Sequence, residues 1–371
     1  MRVAEARATR CSAPAPTPAL AEVGCEGREA WNAFVASSAR CHYMQSYEWG
    51  QVRAAAGWRP IRLALFREGT IEAAAQILEK RLPLCGLAIH YVPRGPVVDF
   101  SDGQTLEAML DALRETGRRR RAVMVRIDLP VTQAEPEAKG MLRRHDFRAV
   151  ERGTYWTAAR HVFRLDLSPD EDDLLRSFRK TTRYEIRRAQ RAGVTVDPEG
   201  TLEDLRIFHR LLADAGARKG FPVRRYADYQ ALYNSFVTCG LGKLFIARYR
   251  DEVIGGAFMA TLGEESWWLH GASSPEHRKL APSKSLVWSM ITWSKQAGKR
   301  RLDLLGSRQP GVAEFKQGFR PQEASFLPCL DMPLSSTAYS AWRLLESQGV
   351  PAAIAAYGFA RPLLSRLRRC F

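Results

Sequence analysis

The sequence predicts an α/β protein of two consecutive domains, and three observations carry the prediction. The chain has 371 residues, more than one ordinary domain holds. Hydrophobic residues make up 46% and charged residues 26%, enough apolar matter for sizeable cores and too little charge for global disorder. One order of elements (helix, hairpin, strand, helix, strand) occurs twice, which points to an internal structural duplication.

The opening MRVAEARATRCSAPAPTPALAEVG is rich in Ala and Pro and lacks the apolar core of a secretory signal, so residues 1–27 read as a disordered leader. Arg28–Ala39 has helical periodicity. Ile61–Phe66 and Ile71–Leu78 read as strands joined by a turn at Glu68-Gly69. Leu87–Val92 is a further strand, Thr105–Arg119 an amphipathic helix through Leu106, Met109, Leu110 and Leu113, and Ala122–Leu129 a strand stopped by Pro130. The second series begins at Ser168-Pro169-Asp170-Glu171, where Ser168 is a candidate N-cap and Pro169 fits the first helical position. That helix is expected to run to about Ala192 and stop at Gly193. Helices over Leu202–Ala217 and Tyr226–Cys239 follow, then a hairpin of Leu244–Tyr249 and Val253–Leu262 around Arg250-Asp251. Trp267–Gly271 is a strand, Ser283–Gly298 a helix and Arg301–Leu305 a strand. The expected boundaries are a first domain over 28–163, completed by 321–371, and a second over 164–320.

Lys plus Arg number 56 against 40 Asp plus Glu, a formal net charge of +16. The excess favours a polyanionic partner, or else is a solvated basic surface. The seven cysteines are scattered without CxxC or Cys/His spacing, so no metal site and no disulfide framework is expected, and reduced thiols in the cytoplasm fit best. No apolar run reaches the roughly 18 residues of a membrane helix. P-loop, G-x-S-x-G, H-E-x-x-H and post-strand G-x-G-x-x-G motifs are absent from the sequence.

Four stretches carry candidate chemistry. The helix from Leu174 bears Arg176, Arg179, Lys180, Arg183, Arg187, Arg188 and Arg191, several on one face: a stripe for phosphates or a solvated face. Tyr91–Pro96 ends a strand with two prolines and a glycine, and would line a cleft, offering Arg94, or only shape the fold. Trp267 and Trp268 alternate across their strand, so one belongs to the core and the other could wall a pocket; His270 beside them is a structural histidine or a base. Gly311–Phe319 follows the last strand of the second series and brings Lys316, either an oxyanion-stabilising cation or a surface lysine.

Taken in order, Tyr43–Arg53 with Gly57-Trp58, Tyr91–Pro96, Leu165–Ser168, Lys180–Ala189 with Gly193-Val194, Asp303 with Gly306, and Glu314–Phe319 resemble the FemABX family over residues 28–330. The resemblance implies two tandem GNAT-like (acyl-CoA N-acyltransferase-like) domains without a coiled-coil arm. It implies an aminoacyltransferase that moves an amino acid from aminoacyl-tRNA to the stem peptide of a peptidoglycan precursor, lipid II or UDP-MurNAc-pentapeptide. By resemblance, Arg53 and the Arg225/Tyr229 pair bind the acceptor, and Phe315-Lys316 serve the reaction, with Lys316 holding the oxyanion. A family tyrosine is replaced by Trp267 or Trp268, and Arg183, Arg187 and Arg188 are candidates for tRNA. Ordinary GNAT enzymes bind the coenzyme A pyrophosphate on a glycine-bearing turn before a helix. Here that turn reads Arg278–Ser283 with a proline and no glycine, which argues against acetyl-CoA and for no cofactor beyond the tRNA donor. Other readings are the same fold acting on a peptide natural product or a polysaccharide amine, and a GNAT pair that only binds nucleic acid or membrane. The expected protein is a cytoplasmic monomer. Its basic amphipathic tail Pro362–Phe371 could touch the anionic inner membrane face or pack on the first domain.

Overall fold

The computed structural model describes residues 18–82, 85–132, 146–150, 157–307 and 309–347. Strand β1 (Ala19–Glu22) and helix α1 (Arg28–Ser37) lead into α2 (Tyr47–Ala55). Then come β2 (Arg59–Arg67), β3 (Thr70–Arg81), β4 (Ala88–Pro93), α3 (Gly103–Arg119), β5 (Ala122–Asp128) and β6 (Arg148–Val150). The second series is β7 (His161–Asp166), α4 (Glu171–Ser177), α5 (Lys180–Arg191), β8 (Thr195–Asp197), α6 (Leu202–Lys219), α7 (Tyr226–Leu232), β9 (Gly242–Tyr249), β10 (Glu252–Leu262), β11 (Glu265–Ser273), α8 (Pro282–Gln296), β12 (Arg301–Asp303) and α9 (Pro310–Gln317). Strands β13 (Gln322–Ser325) and β14 (Cys329–Pro333) and a helix α10 over 336–347 follow.

Two seven-stranded sheets result, β1-β2-β3-β4-β5-β14-β6 and β8-β9-β10-β11-β12-β7-β13. Position by position they match. In each, an antiparallel hairpin leads to a strand whose crossover helix (α3 or α8) returns it to a parallel neighbour, β4 to β5 and β11 to β12. The duplication expected from the order of elements is therefore present in the topology, and the fold is a tandem of GNAT-like α/β units. The last two strands divide between the sheets: β13 completes the second and β14 inserts between β5 and β6 of the first.

Alternation on the sheet faces and the apolar stripes of the helices build three large cores. One lies between the first sheet and α3, through Ile77, Val92, Leu106, Leu110, Val125 and Ile127. Another lies between the second sheet, α5 and α8. The third crosses the seam, joining Trp31, Tyr43 and Val52 of the first half to Phe208, Tyr229, Phe236 and Trp267 of the second. Trp31 anchors the first motif by donating its indole N–H to the Gln45 carbonyl at 2.7 Å.

Three sequence expectations need correction. The leader is ordered from Ala19, because β1 adds to the sheet edge with Ala19 opposite Phe66. The helix foreseen from Ser168 to Ala192 is two helices. Its N-cap is Asp170, not Ser168, and it breaks where Phe178 turns extended to pack edge-on against Trp288 and Phe319. Arg183 then donates to the Arg176 carbonyl at 2.7 Å and to that of Phe178, satisfying the end of α4. The helix foreseen over Tyr226–Cys239 is helical to Leu232 and continues as a π-turn over Tyr233–Val237. Leader residues 1–17 and the tail Pro362–Phe371 lie outside the described residues.

Candidate active site

Helix α2 follows Ser46, whose hydroxyl accepts the Trp49 N–H as N-cap, so the Tyr43–Arg53 motif is a turn and helix laid on the seam. Gln45 locks it: its amide donates to the Pro93 carbonyl at 2.5 Å and its oxygen accepts the Gln76 N–H at 2.8 Å. The Tyr91–Pro96 motif is fastened by Asp128 at the end of β5. That carboxylate accepts the Tyr91 hydroxyl at 2.6 Å, the Ala158 N–H at 3.0 Å and the Arg94 N–H. The ends of β4 and β5 are thus tied to the segment that enters the second half.

At the seam lies a cavity of about 200 Å³. Tyr43, Trp49, Arg53 and Tyr91 face it from the first half, and Arg224, Asp228, Tyr229, Leu269, His270 and Leu305 from the second. Arg53 is buried, with its guanidinium 5.2 Å from the Trp58 ring centroid and 5.9 Å from that of Trp49. Burial, and then the like charge of Arg224, pull it down to about 10. Even so it remains a cation at neutral pH. The Arg224 backbone is held by His209, whose Nε2–H donates to its carbonyl at 2.9 Å. Two guanidiniums with Asp228 as the acid among these lining groups make an anion-seeking wall, and the forked donors suit phosphate oxygens.

Strand β11 carries a bulge. Phe258 pairs with His270 and Met259 with Trp268, leaving Leu269 as the extra residue. The bulge lets Leu269 and His270 both face the cavity while Trp268 turns to the other side. His270 meets the Tyr229 ring edge-on at 5.0 Å, and burial pushes it down to about 4, so it is neutral at physiological pH. Trp267 goes to the seam core against His42 and Tyr43. Trp268 donates its indole N–H to the His270 carbonyl at 2.8 Å, and Gly271 makes room for it: a Cβ there would sit 2.5 Å from the indole.

Lys316 stands directly behind the cavity wall. Its ammonium donates to the Leu305 and Gly306 carbonyls, each at 3.1 Å, and lies 5.5 Å from the Trp268 ring centroid. Leu305 is itself part of the wall. Burial pulls Lys316 down to about 8, opposed by the Asp303 carboxylate. Phe315 packs with its ring 6.1 Å from Trp268 and 5.7 Å from Phe319.

Of the expected residues Arg53 and Tyr229 line the cavity, while Trp268, Phe315 and Lys316 lie outside its lining; neither Trp267 nor Trp268 walls the pocket as expected, because the bulge turns Leu269 and His270 to it instead. The structure places the others elsewhere. Arg225 points away, with its side chain 78% exposed and paired with Asp228 at 3.5 Å, and its neighbour Arg224 takes the wall. The reason is local: Arg225 is the N-cap of α7, its N–H bound by Asp228 at 3.2 Å, which turns its side chain outward. Arg94 is buried between the halves, donating to the Ala159 carbonyl and stacking 4.5 Å from the Phe326 ring centroid. Of the α5 arginines, Arg183 serves the end of α4, Arg188 stacks on Tyr184 at 5.6 Å, and Arg187 is exposed. Among the described residues no cluster of His, Cys, Asp or Glu could hold a metal, and no helix is long and apolar enough to cross a membrane. Among the described residues the longest helix is α6, with 18 residues. Arg224 was not singled out by the sequence, whose one signal for it is the Arg-Arg doublet; His270 was singled out, but not the bulge that turns it to the cavity.

Residues 27–151 match the FemAB family, and residues 176–317 match the acetyltransferase (GNAT) domain. A lipid II:glycine glycyltransferase of Staphylococcus aureus (strain MRSA252) is 23% identical over 347 residues, covering 74% of this chain and 82% of that protein. The crystal structure of FemX superposes with a TM-score of 0.80 at 22% identity, over 88% of this chain and 100% of that one. A tandem GNAT protein from the clavulanic acid biosynthesis pathway superposes at 0.53 and 12% identity, over 86% and 99%. The matches follow the resemblance read from the ordered motifs in both halves, FemAB-like in residues 27–151 and GNAT-like in 176–317.

Proposed function

We propose that this FemABX-type chain is an aminoacyltransferase that moves an amino acid from aminoacyl-tRNA to the stem-peptide amine of a peptidoglycan precursor, lipid II or UDP-MurNAc-pentapeptide. The observation that carries it is the seam cavity, where Arg53 and Arg224 face one space with Lys316 behind its wall. A diphosphate beside a sugar needs paired forked donors and aromatic surface, and the cavity offers both. About 200 Å³ is below the roughly 300–1,000 Å³ that enclose a drug-sized ligand. It suits one anionic segment of a larger acceptor, with the peptide outside.

In this reading the acceptor amine attacks the ester carbonyl of the aminoacyl-tRNA. A C–N bond forms and the C–O bond to the ribose breaks. The amine proton leaves with the released ribose hydroxyl. Lys316 supplies positive charge to the tetrahedral oxyanion, worth about 10²–10³ in rate for one such donor. No protein base is assigned: burial pulls His270 down to about 4, which makes it a weak base, and the exchange closes between substrate groups.

Acetyl-CoA fits poorly as donor. At the start of α8, Pro282 removes one backbone donor, and the N–H groups of Lys284 and Ser285 turn to the Ala281 carbonyl at 3.0 and 3.3 Å. The basic face of α5 is where a tRNA backbone would be met, through Arg187 more than Arg183. Peripheral contact with the inner membrane face, action in the cytoplasm and the monomeric state belong to the same proposal.

The test is transfer of radiolabelled amino acids from a charged tRNA pool to UDP-MurNAc-pentapeptide and to lipid II. Labelled product is expected, reduced about 100-fold or more in Lys316→Ala. No transfer to either acceptor by folded protein rejects the peptidoglycan assignment and turns the search to other amine acceptors.

A further inference from the structure

Lys316 is carried in the last turn of α9, and the end of that helix is met by a second buried lysine. Lys284 of α8 is 9% exposed. Its ammonium lies 3.3 Å from the Phe315 carbonyl and 3.3 Å from the Thr182 hydroxyl of α5. It also lies 4.0 Å from the Phe315 ring centroid and 4.7 Å from that of Phe319. Gly318, the C-cap of α9, allows this approach, since a Cβ there would stand 2.9 Å from the Lys284 ammonium and 2.6 Å from the Thr182 oxygen. The Gly318 carbonyl is taken by the Arg179 N–H at 3.0 Å.

A buried ammonium is costly unless something specific offsets its lost hydration. Here the offsets are the carbonyl end of a helix, where positive charge is favoured, and the faces of two aromatic rings. None of these groups belongs to the seam cavity. All of them bear on the segment that presents Phe315 and Lys316. We infer that Lys284 is a positioning residue for Lys316: its ammonium caps the C-terminal end of α9, seats the Phe315 ring from behind, and so fixes Lys316 against the Leu305–Gly306 carbonyls. The contacts form one line, Thr182 to Lys284 to Phe315 to Trp268 to the Lys316 ammonium.

The charged groups acting on Lys284 are Arg179, which disfavours its ammonium, and Glu185, which favours it; burial is the larger influence and brings it down to about 8. The cap therefore weakens as pH rises through 8.

This inference rests on the reading of Lys316 as the group serving the oxyanion, and the test separates the two. Protein labelled with ¹³C at lysine Cε is titrated by NMR, with Lys316→Arg used to assign the Lys316 signal, and transfer kinetics are run in parallel. In Lys284→Met the Lys316 midpoint is expected to rise by about one pH unit as the end of α9 loosens and water reaches the ammonium. Its kcat should fall about tenfold with the acceptor KM within twofold. Lys284→Arg, which keeps the charge and stacks on the same rings, should restore kcat to within about threefold. A folded Lys284→Met with the wild-type midpoint and kcat overturns the inference, and so does a loss that arginine fails to rescue, which would mark packing alone. If Lys284→Met does not fold, Thr182→Val removes one anchor at nearly the same shape. It should shift the midpoint and kcat in the same directions, and no shift in either overturns the inference. A moved midpoint in a protein whose wild type transfers to neither acceptor sinks the acceptor assignment and leaves the positioning role standing.

Discussion

Arg224 and Arg225 are neighbours in sequence with opposite fates. One lines the seam cavity, and the other caps α7 and faces water. Arg224→Ala is expected to raise the acceptor KM about 10–100-fold, the range for losing one charge-assisted contact, while Arg225→Ala should stay within about threefold. Steady-state kinetics on the two variants decides it, and equal effects would put the anion elsewhere. The same scale sets the pH behaviour. Lys316 and Lys284 are both brought by burial to about 8 from an ordinary lysine value of 10.5. Because the folded state disfavours their ammonium forms, the cost to stability is full below pH 8 and fades as pH rises towards 10.5. Activity moves the other way, since the oxyanion needs the Lys316 ammonium. The pH–kcat profile should turn down near pH 8, with Lys316→Arg reducing that downturn to the roughly tenfold part that follows Lys284. A downturn of unchanged depth in the arginine variant would assign it to another group. Lys316 and Tyr229 were legible in the sequence because each stood inside a spaced motif. Arg224 was not, because which of two adjacent arginines faces a cavity is decided by a capping hydrogen bond that spacing does not encode.

At the scale of elements, strands and helices with clear periodicity were read well: β2, β3, β5, α3 and α6 fall within a few residues of expectation. Short elements were missed. β7, β8, β13 and β14 are three to six residues long and stand on pairing with distant strands, not on a local pattern. The break between α4 and α5 was hidden for a similar reason. Its cause is Phe178 reaching a core made by α8 and the turn after α9. The β11 bulge was equally silent, although it aims His270 into the cavity. The turn after β12 has the least freedom. Leu305 is left-handed at φ 57°, and a Cβ on Gly306 would run into the His161 carbonyl. Gly306→Ala is expected to cost about 1–3 kcal/mol of stability through this overpacking. It should also lower kcat, because the displaced carbonyl is one of the two that hold Lys316. Thermal melting and single-turnover transfer measure the two effects, and a melting loss with unchanged turnover would separate the turn from the chemistry.

Across the whole molecule, the seam core makes one packed body of the two sheets. The first half is also bound to the end of the described chain. Arg126 of β5 is fully buried and bonds both Asp331 oxygens, at 2.6 and 2.8 Å, and both Glu346 oxygens, at 2.6 and 3.0 Å. The Tyr339 hydroxyl adds a bond to Asp331 at 3.2 Å. These groups fasten β14 and α10 to the first sheet. Arg126→Met would strip Asp331 and Glu346 of the buried cation they share, leaving Glu346 its contact with Arg343, at about 3–5 kcal/mol. The expected result is a lower melting temperature and faster amide exchange across 336–347; unchanged exchange there would mean α10 is held by its apolar contacts. The expected boundaries at 163 and 320 do not follow the sheets: β7 starts at His161 and β13, beyond 320, pairs with it in the second sheet, while β14 lies in the first, because the two return strands divide by pairing and not by chain order.

The place of β14 also bears on how the protein is made. Its partners β5 and β6 end by residue 150, yet the strand that must lie between them begins at Cys329. During synthesis the first sheet therefore emerges with an unfilled slot and two unpaired edges, and it stays so while the entire second half is translated. Sequence separations of this size slow folding and leave pairing surface exposed to other chains. The second half, which finds β7 to β13 within a continuous stretch, can close its sheet first. In this molecule the sheet begun second can be completed before the sheet begun first receives its last strand.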